Sequence, residues 1–202
     1  MSEHIGVYGG TFDPVHIAHL AVAEAARESA GLSTVLFVPN NRQPLKVEGP
    51  YASGPQRLRM LQAAIAGNPA FRASDLELHQ DGPSYTIDTM DALARQFPGA
   101  TLRFLLGLDA ALGLAAWKQP GRLIADYRPI IMSRPGWPEP DWQALERIHP
   151  GARSLLHIVM VPALAIASSE LRTRIGAGHT VRYLIPDPVI SLIEKEGLYG
   201  GG

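Results

Sequence analysis

A short apolar, β-branched run, Ile5 to Tyr8, stops at Gly9-Gly10 and gives way to a helical pattern that continues towards Ser29. This conversion constrains the fold more than any other feature, because it reads as a buried strand feeding directly into a helix. The two glycines can take φ above zero and bring bare backbone close to a ligand. Asp13 suits an N-cap and Pro14 the first helical position, where a missing N–H costs nothing. The spacing therefore predicts a helix from about Pro14, with Gly31 just beyond its end as a C′ residue.

The same alternation recurs along the chain. Strands are expected at 34–38, 71–78, 101–106, 128–132 and 155–161, and helices at 56–66, 86–97 and 142–148, with a further helix starting near Ser168. Strands alternating with helices imply an α/β fold built on a parallel sheet, whose ligands bind beyond the carboxyl ends of the strands. The chain has 202 residues, of which 46% are hydrophobic, which suits one domain with a small C-terminal helical portion from about residue 167.

The first turn is suited to phosphate. A helix N-terminus offers unpaired N–H groups and partial positive charge. His16 and His19, three residues apart, share a face of that first turn. The helix terminus disfavours a second positive charge and should keep both imidazoles neutral until a phosphate reverses the bias. Two such donors suit electrostatic stabilisation of phosphoryl transfer. No Gly-Lys-Ser/Thr follows and the spacing is not Gly-x-Gly-x-x-Gly, which argues against a P-loop NTPase and an ordinary dinucleotide dehydrogenase.

Composition narrows the classes further. A net charge of −1 provides no global basic field for a nucleic-acid partner. The absence of cysteine excludes thiolate catalysis and Cys-ligated zinc. No basic-then-apolar leader and no membrane-length apolar run is read, so the expectation is a cytoplasmic protein without a membrane partner, compatible with a homo-oligomer.

Four other segments carry candidate chemistry. Arg42 and Lys46 lie in a Pro-rich loop after the second strand and suit either a phosphate or solvent. Gly82 to Thr86 joins a strand to a helix, with Ser84 or Thr86 able to cap and the nearby amides able to take a carboxylate. Gly107-Leu108-Asp109 follows a strand at its ligand-bearing end, where the glycine admits a ribose or phosphate and Asp109 accepts from hydroxyls or caps the next helix. Trp117, one helix later, either stacks on a flat heterocycle or packs in the core. Ser168 and Ser169 open a helix with Arg172 one turn inside, a second anion site or an ordinary serine cap.

In this order the segments resemble the bacterial nicotinate mononucleotide adenylyltransferases of the nucleotidylyltransferase superfamily, over almost the whole chain. Gly9 to His19 matches the superfamily's Gly-Gly-Thr-Phe-Asp-Pro-x-His-x-Gly-His except at Ala18. Ile166 to Arg172 matches Ile-Ser-Ser-Thr-x-Ile/Leu-Arg with Ala167 for Ser and Ser169 for Thr. Gly82 to Thr86, Gly107 to Asp109 with Trp117, and the tail Arg182 to Pro186 through Leu198-Tyr199 resemble the nicotinate branch. The resemblance implies a Rossmann-like nucleotidylyltransferase fold with helices on both faces of a mostly parallel sheet. It also implies transfer of AMP from ATP to nicotinate mononucleotide in NAD biosynthesis. Mg²⁺ would be held by ATP phosphates and water rather than by protein ligands.

By that resemblance His16, His19 and Arg172 are catalytic, and Gly9, Gly10, Thr11, Phe12, Gly107, Asp109, Ser168 and Ser169 hold ATP. Lys46, Tyr85, Thr86 and Trp117 hold the mononucleotide. Two departures stand out: Pro44-Leu45-Lys46 replaces the family's Pro-His-Lys, and Ala18 adds a methyl where glycine is usual. The alternatives are another nucleotidylyltransferase, such as one acting on phosphopantetheine, and a nucleotide-binding regulator without turnover.

Overall fold

The computed structural model describes residues 3–41, 49–80 and 82–200. Six strands form one sheet: β1 (His4–Gly10), β2 (Thr34–Pro39), β3 (Phe71–Ala73), β4 (Thr101–Gly107), β5 (Ile130–Ser133) and β6 (His157–Met160), in the order β3-β2-β1-β4-β5-β6. β1 pairs parallel with β4, β4 with β5, and β5 with β6. The helices are α1 (Ile17–Ser29), α2 (Gly54–Ile65), α3 (Thr86–Gln96), α4 (Leu108–Leu112), α5 (Pro120–Tyr127), α6 (Trp142–Ile148), α7 (Ala152–Leu155), α8 (Ser168–Gly176) and α9 (Asp187–Glu196).

Burial explains why these runs are strands. Ile5 and Val7 of β1, Val35, Phe37 and Val38 of β2, and Ile130 and Ile131 of β5 are all buried. Parallel strands covered by crossover helices have little exposed face and therefore read as near-continuous apolar runs. Gly31 takes φ 62° after α1, as the C′ reading requires. Ser53 caps α2 in a reciprocal box, accepting from the Gln56 N–H while Gln56 Oε1 accepts from the Ser53 N–H.

Three expectations need correction. The alternation at 71–78 gives only the three-residue β3, followed by a 3₁₀ turn at Leu76–His79. The Ser74 hydroxyl accepts from the Leu76 N–H, turning the backbone where the apolar positions shift from Phe71 and Ala73 to Leu76 and Leu78. Helix α1 begins at Ile17 rather than Pro14. Asp13 does not cap it, because its carboxylate accepts instead from the Tyr51 N–H at 2.7 Å, the Ala52 N–H at 3.2 Å and the Tyr199 hydroxyl at 2.6 Å. Finally, Gly9 and Gly10 are not in the left-handed region, and the positive φ falls on Phe12 at 49°. Gly10 is needed for space: a Cβ there would stand 2.8 Å from the Phe12 ring.

The described chain divides into two compact units. One comprises residues 1–9, 22–36 and 85–163; the other comprises 10–21, 37–84 and 164–202.

Candidate active site

The second unit holds the turn, α2 and the C-terminal helices, and it gathers His16, His19, Ser168 and Arg172 around the backbone of Asp13-Pro14. His16 sits where an N-cap would: its carbonyl accepts from the His19 N–H at 3.0 Å and the Leu20 N–H at 3.4 Å. Its own N–H donates to His19 Nδ1 at 3.3 Å, the reverse half of a capping box with imidazole in place of Glu. The rings stack with centroids 3.7 Å apart, and Phe12 meets His19 edge-on at 5.1 Å. Acceptance at Nδ1 places the proton of neutral His19 on Nε2.

Both imidazoles are held neutral, as expected from the sequence, but the leading cause is burial rather than the helix terminus. Burial lowers His16 to about 4, and burial followed by the His16 charge pushes His19 well below its ordinary value. Among the described residues His16 Nδ1 is buried without a hydrogen-bond partner, a costly arrangement for a ring nitrogen.

The sign of the pH effect follows directly. Below 6.5 the unfolded chain protonates His16, whereas the folded chain resists until about 4. Stability contributed by the neutral ring is therefore complete above 6.5 and lost as pH falls through that window, amounting to at most about 3 kcal/mol. Urea midpoints between pH 7 and pH 5 should fall less for His16→Asn than for the parent; equal slopes would remove His16 from the linkage.

Helix α8 grips the turn from its N-terminus. Arg172 Nη1 donates to the Asp13 carbonyl at 2.7 Å, and its guanidinium lies 4.3 Å from the Tyr51 ring centroid. The Ser168 hydroxyl donates to the Pro14 carbonyl at 2.9 Å, while Ala167 occupies the N-cap position without a side-chain cap. The serine-cap reading is thereby corrected. Ser169 is exposed, its carbonyl accepting from the Thr173 hydroxyl. The tail contributes the Leu184 carbonyl, which accepts from the Ile17 N–H at 3.0 Å and satisfies one donor of the α1 terminus.

Arg57 and Tyr199 carry structural work that sequence reading missed. Arg57 is 1% exposed and donates to the carbonyls of Ala52, Thr11 and Asn40, tying the turn to the end of β2. An arginine inside the amphipathic α2 pattern gives no sign of this. Its role depends on carbonyls distant in sequence.

The first unit holds Tyr85, Thr86, Gly107, Asp109 and Trp117, of which Gly107 and Asp109 stand at the carboxyl end of β4. Gly107 is the N-cap of α4 and Asp109 lies in its first turn, so Asp109 is not the cap. Both line a cavity of about 90 Å³ with Tyr8, Arg134 and Trp137, where the Arg134 guanidinium lies 5.2 Å from the Trp137 ring centroid. Arg134 and Trp137 were not singled out from sequence, although their position just beyond β5 follows the carboxyl-end rule. Trp117 is half-buried and meets Phe104 edge-on at 6.0 Å, and a Cβ on Gly9 would touch that same phenyl ring at 3.4 Å. Tyr85 is the N-cap of α3 without a side-chain cap, and Ser84 instead accepts from the Asn41 N–H. Lys118 ties Trp117 to this helix, binding Asp88 at 2.7 Å and lying 4.9 Å from the Tyr85 ring centroid. Arg42, Leu45 and Lys46 lie outside the described residues.

Among the described residues, no cluster of three or more His, Asp or Glu is placed to hold a metal. No helix of the described chain is long and apolar enough to cross a membrane.

The cytidylyltransferase-like family model matches residues 7–174. A "Probable nicotinate-nucleotide adenylyltransferase" of Herpetosiphon aurantiacus is 42% identical over 197 residues, covering 98% of both chains. The protein of the same name from Thermomicrobium roseum is 40% identical, covering 98% of this chain and 92% of its own. The structure of Plasmodium falciparum nicotinic acid mononucleotide adenylyltransferase complexed with NaAD superposes with a TM-score of 0.76 at 22% identity, covering 98% of this chain and 97% of its own. That likeness establishes a shared Rossmann-like fold.

Proposed function

The chain belongs to the cytidylyltransferase-like family and, within it, to the nicotinate-nucleotide adenylyltransferases, and from this we propose that it transfers the adenylyl group of ATP to nicotinate mononucleotide. The mononucleotide phosphate oxygen attacks the α-phosphorus in line. The bond to the β-phosphate bridging oxygen breaks, and pyrophosphate leaves as nicotinate adenine dinucleotide forms. No covalent enzyme intermediate is needed, so the protein supplies alignment and charge stabilisation.

The observation that carries this reading is the stacked, neutral pair of buried His16 and half-buried His19 at the start of α1, with Arg172 held on the same turn. His19 Nε2–H and His16 would donate to ATP phosphates, and their pKa values would rise as phosphate charge replaces an apolar surrounding. Arg172 has further N–H groups beyond the one given to Asp13, and these would meet the departing pyrophosphate alongside Ser168. Gly9, Gly10, Thr11 and Phe12 shape the approach to the triphosphate. Gly107 and Asp109 would take the adenosine ribose, with Ser169 at the mouth of the α8 terminus. Trp117 would stack on the pyridine, amides near Tyr85 and Thr86 would receive its carboxylate, and Lys46 would bind its phosphate. Among the described residues no carboxylate cage is placed for a metal, and Mg²⁺ would arrive with ATP, keep its waters and neutralise phosphate charge.

Purified protein given ATP, Mg²⁺ and either nicotinate or nicotinamide mononucleotide should release pyrophosphate, with the nicotinate form preferred by its carboxylate. Turnover only with phosphopantetheine would sink the substrate assignment, and saturable ATP binding without turnover on any mononucleotide would leave a regulator.

A further inference from the structure

The parallel strands of the first unit have a second end. Strand β4 is seven residues long, so about 20 Å separates its amino end from Gly107 and Asp109. At that amino end lies a cavity of about 610 Å³, within the size range of small-molecule sites. Arg103, Arg128, His4 and His157 line it, with Ser154 at one side. The one carboxylate among its described lining residues, Asp126, is engaged at 3.0 Å by Arg122.

Helix C-termini explain part of this charge, since α5 ends at Tyr127 and α7 at Leu155, and terminal carbonyls favour cations. Arg103 Nε indeed donates to the Arg128 carbonyl at 2.8 Å. That uses one of five guanidinium N–H donors, and among the described residues the other four have no acceptor. The Arg128 side chain likewise has no acceptor among them.

Two features make the pair unlike an ordinary solvated arginine surface. Arg103 is half-buried, and burial together with the neighbouring Arg128 charge lowers its pKa, so two cations are held near one another at a cost. Arg128 also closes α5 at φ 41°, a left-handed position where glycine or asparagine would sit with less strain. Strain of this kind, kept where an unstrained residue would serve the backbone, points to a use for the side chain.

We propose that this cavity is a second ligand site, separate from the adenylyl-transfer residues, that binds a phosphate-bearing anion of up to mononucleotide size between Arg103 and Arg128. The guanidinium forks match phosphate oxygens, the histidines add donors, and the like-charge repulsion is relieved on binding. The site does not depend on the adenylyltransferase reading, because its readout is binding.

Arg128→Gly tests the proposal, removing the charge while suiting the left-handed backbone, so its thermal midpoint should match or exceed that of the parent. With ¹⁵N-labelled protein, pyrophosphate and AMP should each saturably shift the amides of Arg103, Arg128 and His157. Binding at those amides should weaken at least ~10-fold in Arg128→Gly while kcat and KM with ATP and nicotinate mononucleotide stay unchanged. No saturable shift there, or equal affinity in the variant, overturns the site. Shifts from inorganic phosphate without any from pyrophosphate or AMP would mark an adventitious ion only and overturn it too.

Discussion

His19→Ala is expected to lower kcat by about 10² or more, with a smaller change in the KM for ATP, as for loss of a transition-state donor. The ring is held from three directions: by the Phe12 edge, by the stacked His16 ring, and by the His16 N–H at Nδ1. A donor fixed in this way costs little reorganisation when charge develops on the phosphoryl oxygens. His19→Asn, which can still accept from the His16 N–H through its amide oxygen, should keep the helix start intact and lose most of the rate. Steady-state pyrophosphate release measures both variants. An unchanged kcat in His19→Ala would remove this residue from the mechanism.

The largest stability effect is expected at Arg57. Arg57→Met keeps most of the buried volume but leaves the carbonyls of Ala52, Thr11 and Asn40 without their donor. It also removes the positive charge that faces Asp13, itself 2% exposed. Losing one member of a buried charged network leaves the remaining groups uncompensated, and the expected cost is about 3 to 5 kcal/mol. Urea unfolding should show a lower midpoint at unchanged m. A loss below about 1 kcal/mol would mean that water reaches those carbonyls and that Arg57 does not hold the turn together.

The two experiments probe the same segment at different levels. In the proposed reaction His19 would act on the ligand, whereas Arg57 holds the loop backbone that positions Thr11 and the Asp13 carboxylate. A fall in activity from Arg57→Met would therefore track the folded fraction and the order of the turn rather than chemistry at the phosphate.

Much of the fold was legible in the sequence. The strands at 5–8, 34–38 and 101–106 announced themselves because parallel strands buried by helices are apolar throughout, and the alternating order of elements left few topologies. His16, His19 and Arg172 stood out as candidates because their spacing sits on motifs whose chemistry demands those residue types. The 71–78 segment misled because Phe71/Ala73 and Leu76/Leu78 each alternate, yet the apolar parity shifts between them, where a local hydroxyl-to-backbone bond at Ser74 turns the chain. Arg134 and Trp137 escaped notice because a Pro- and Gly-rich connection gives no periodicity on which to rest a prediction.

What the sequence by itself determined is the class of the protein: an α/β sheet, a strand that passes through two glycines into a helix, and two local motifs whose residues are close along the chain. Those follow from interactions between near neighbours, where spacing is geometry. Only the tertiary structure decided what Asp13 does. Its carboxylate left the helix cap for the amides of residues 51 and 52 and for the hydroxyl of Tyr199, 186 positions away. A local cap is one hydrogen bond, but the buried alternative satisfies three donors at once, and unpaired buried donors are the costlier outcome.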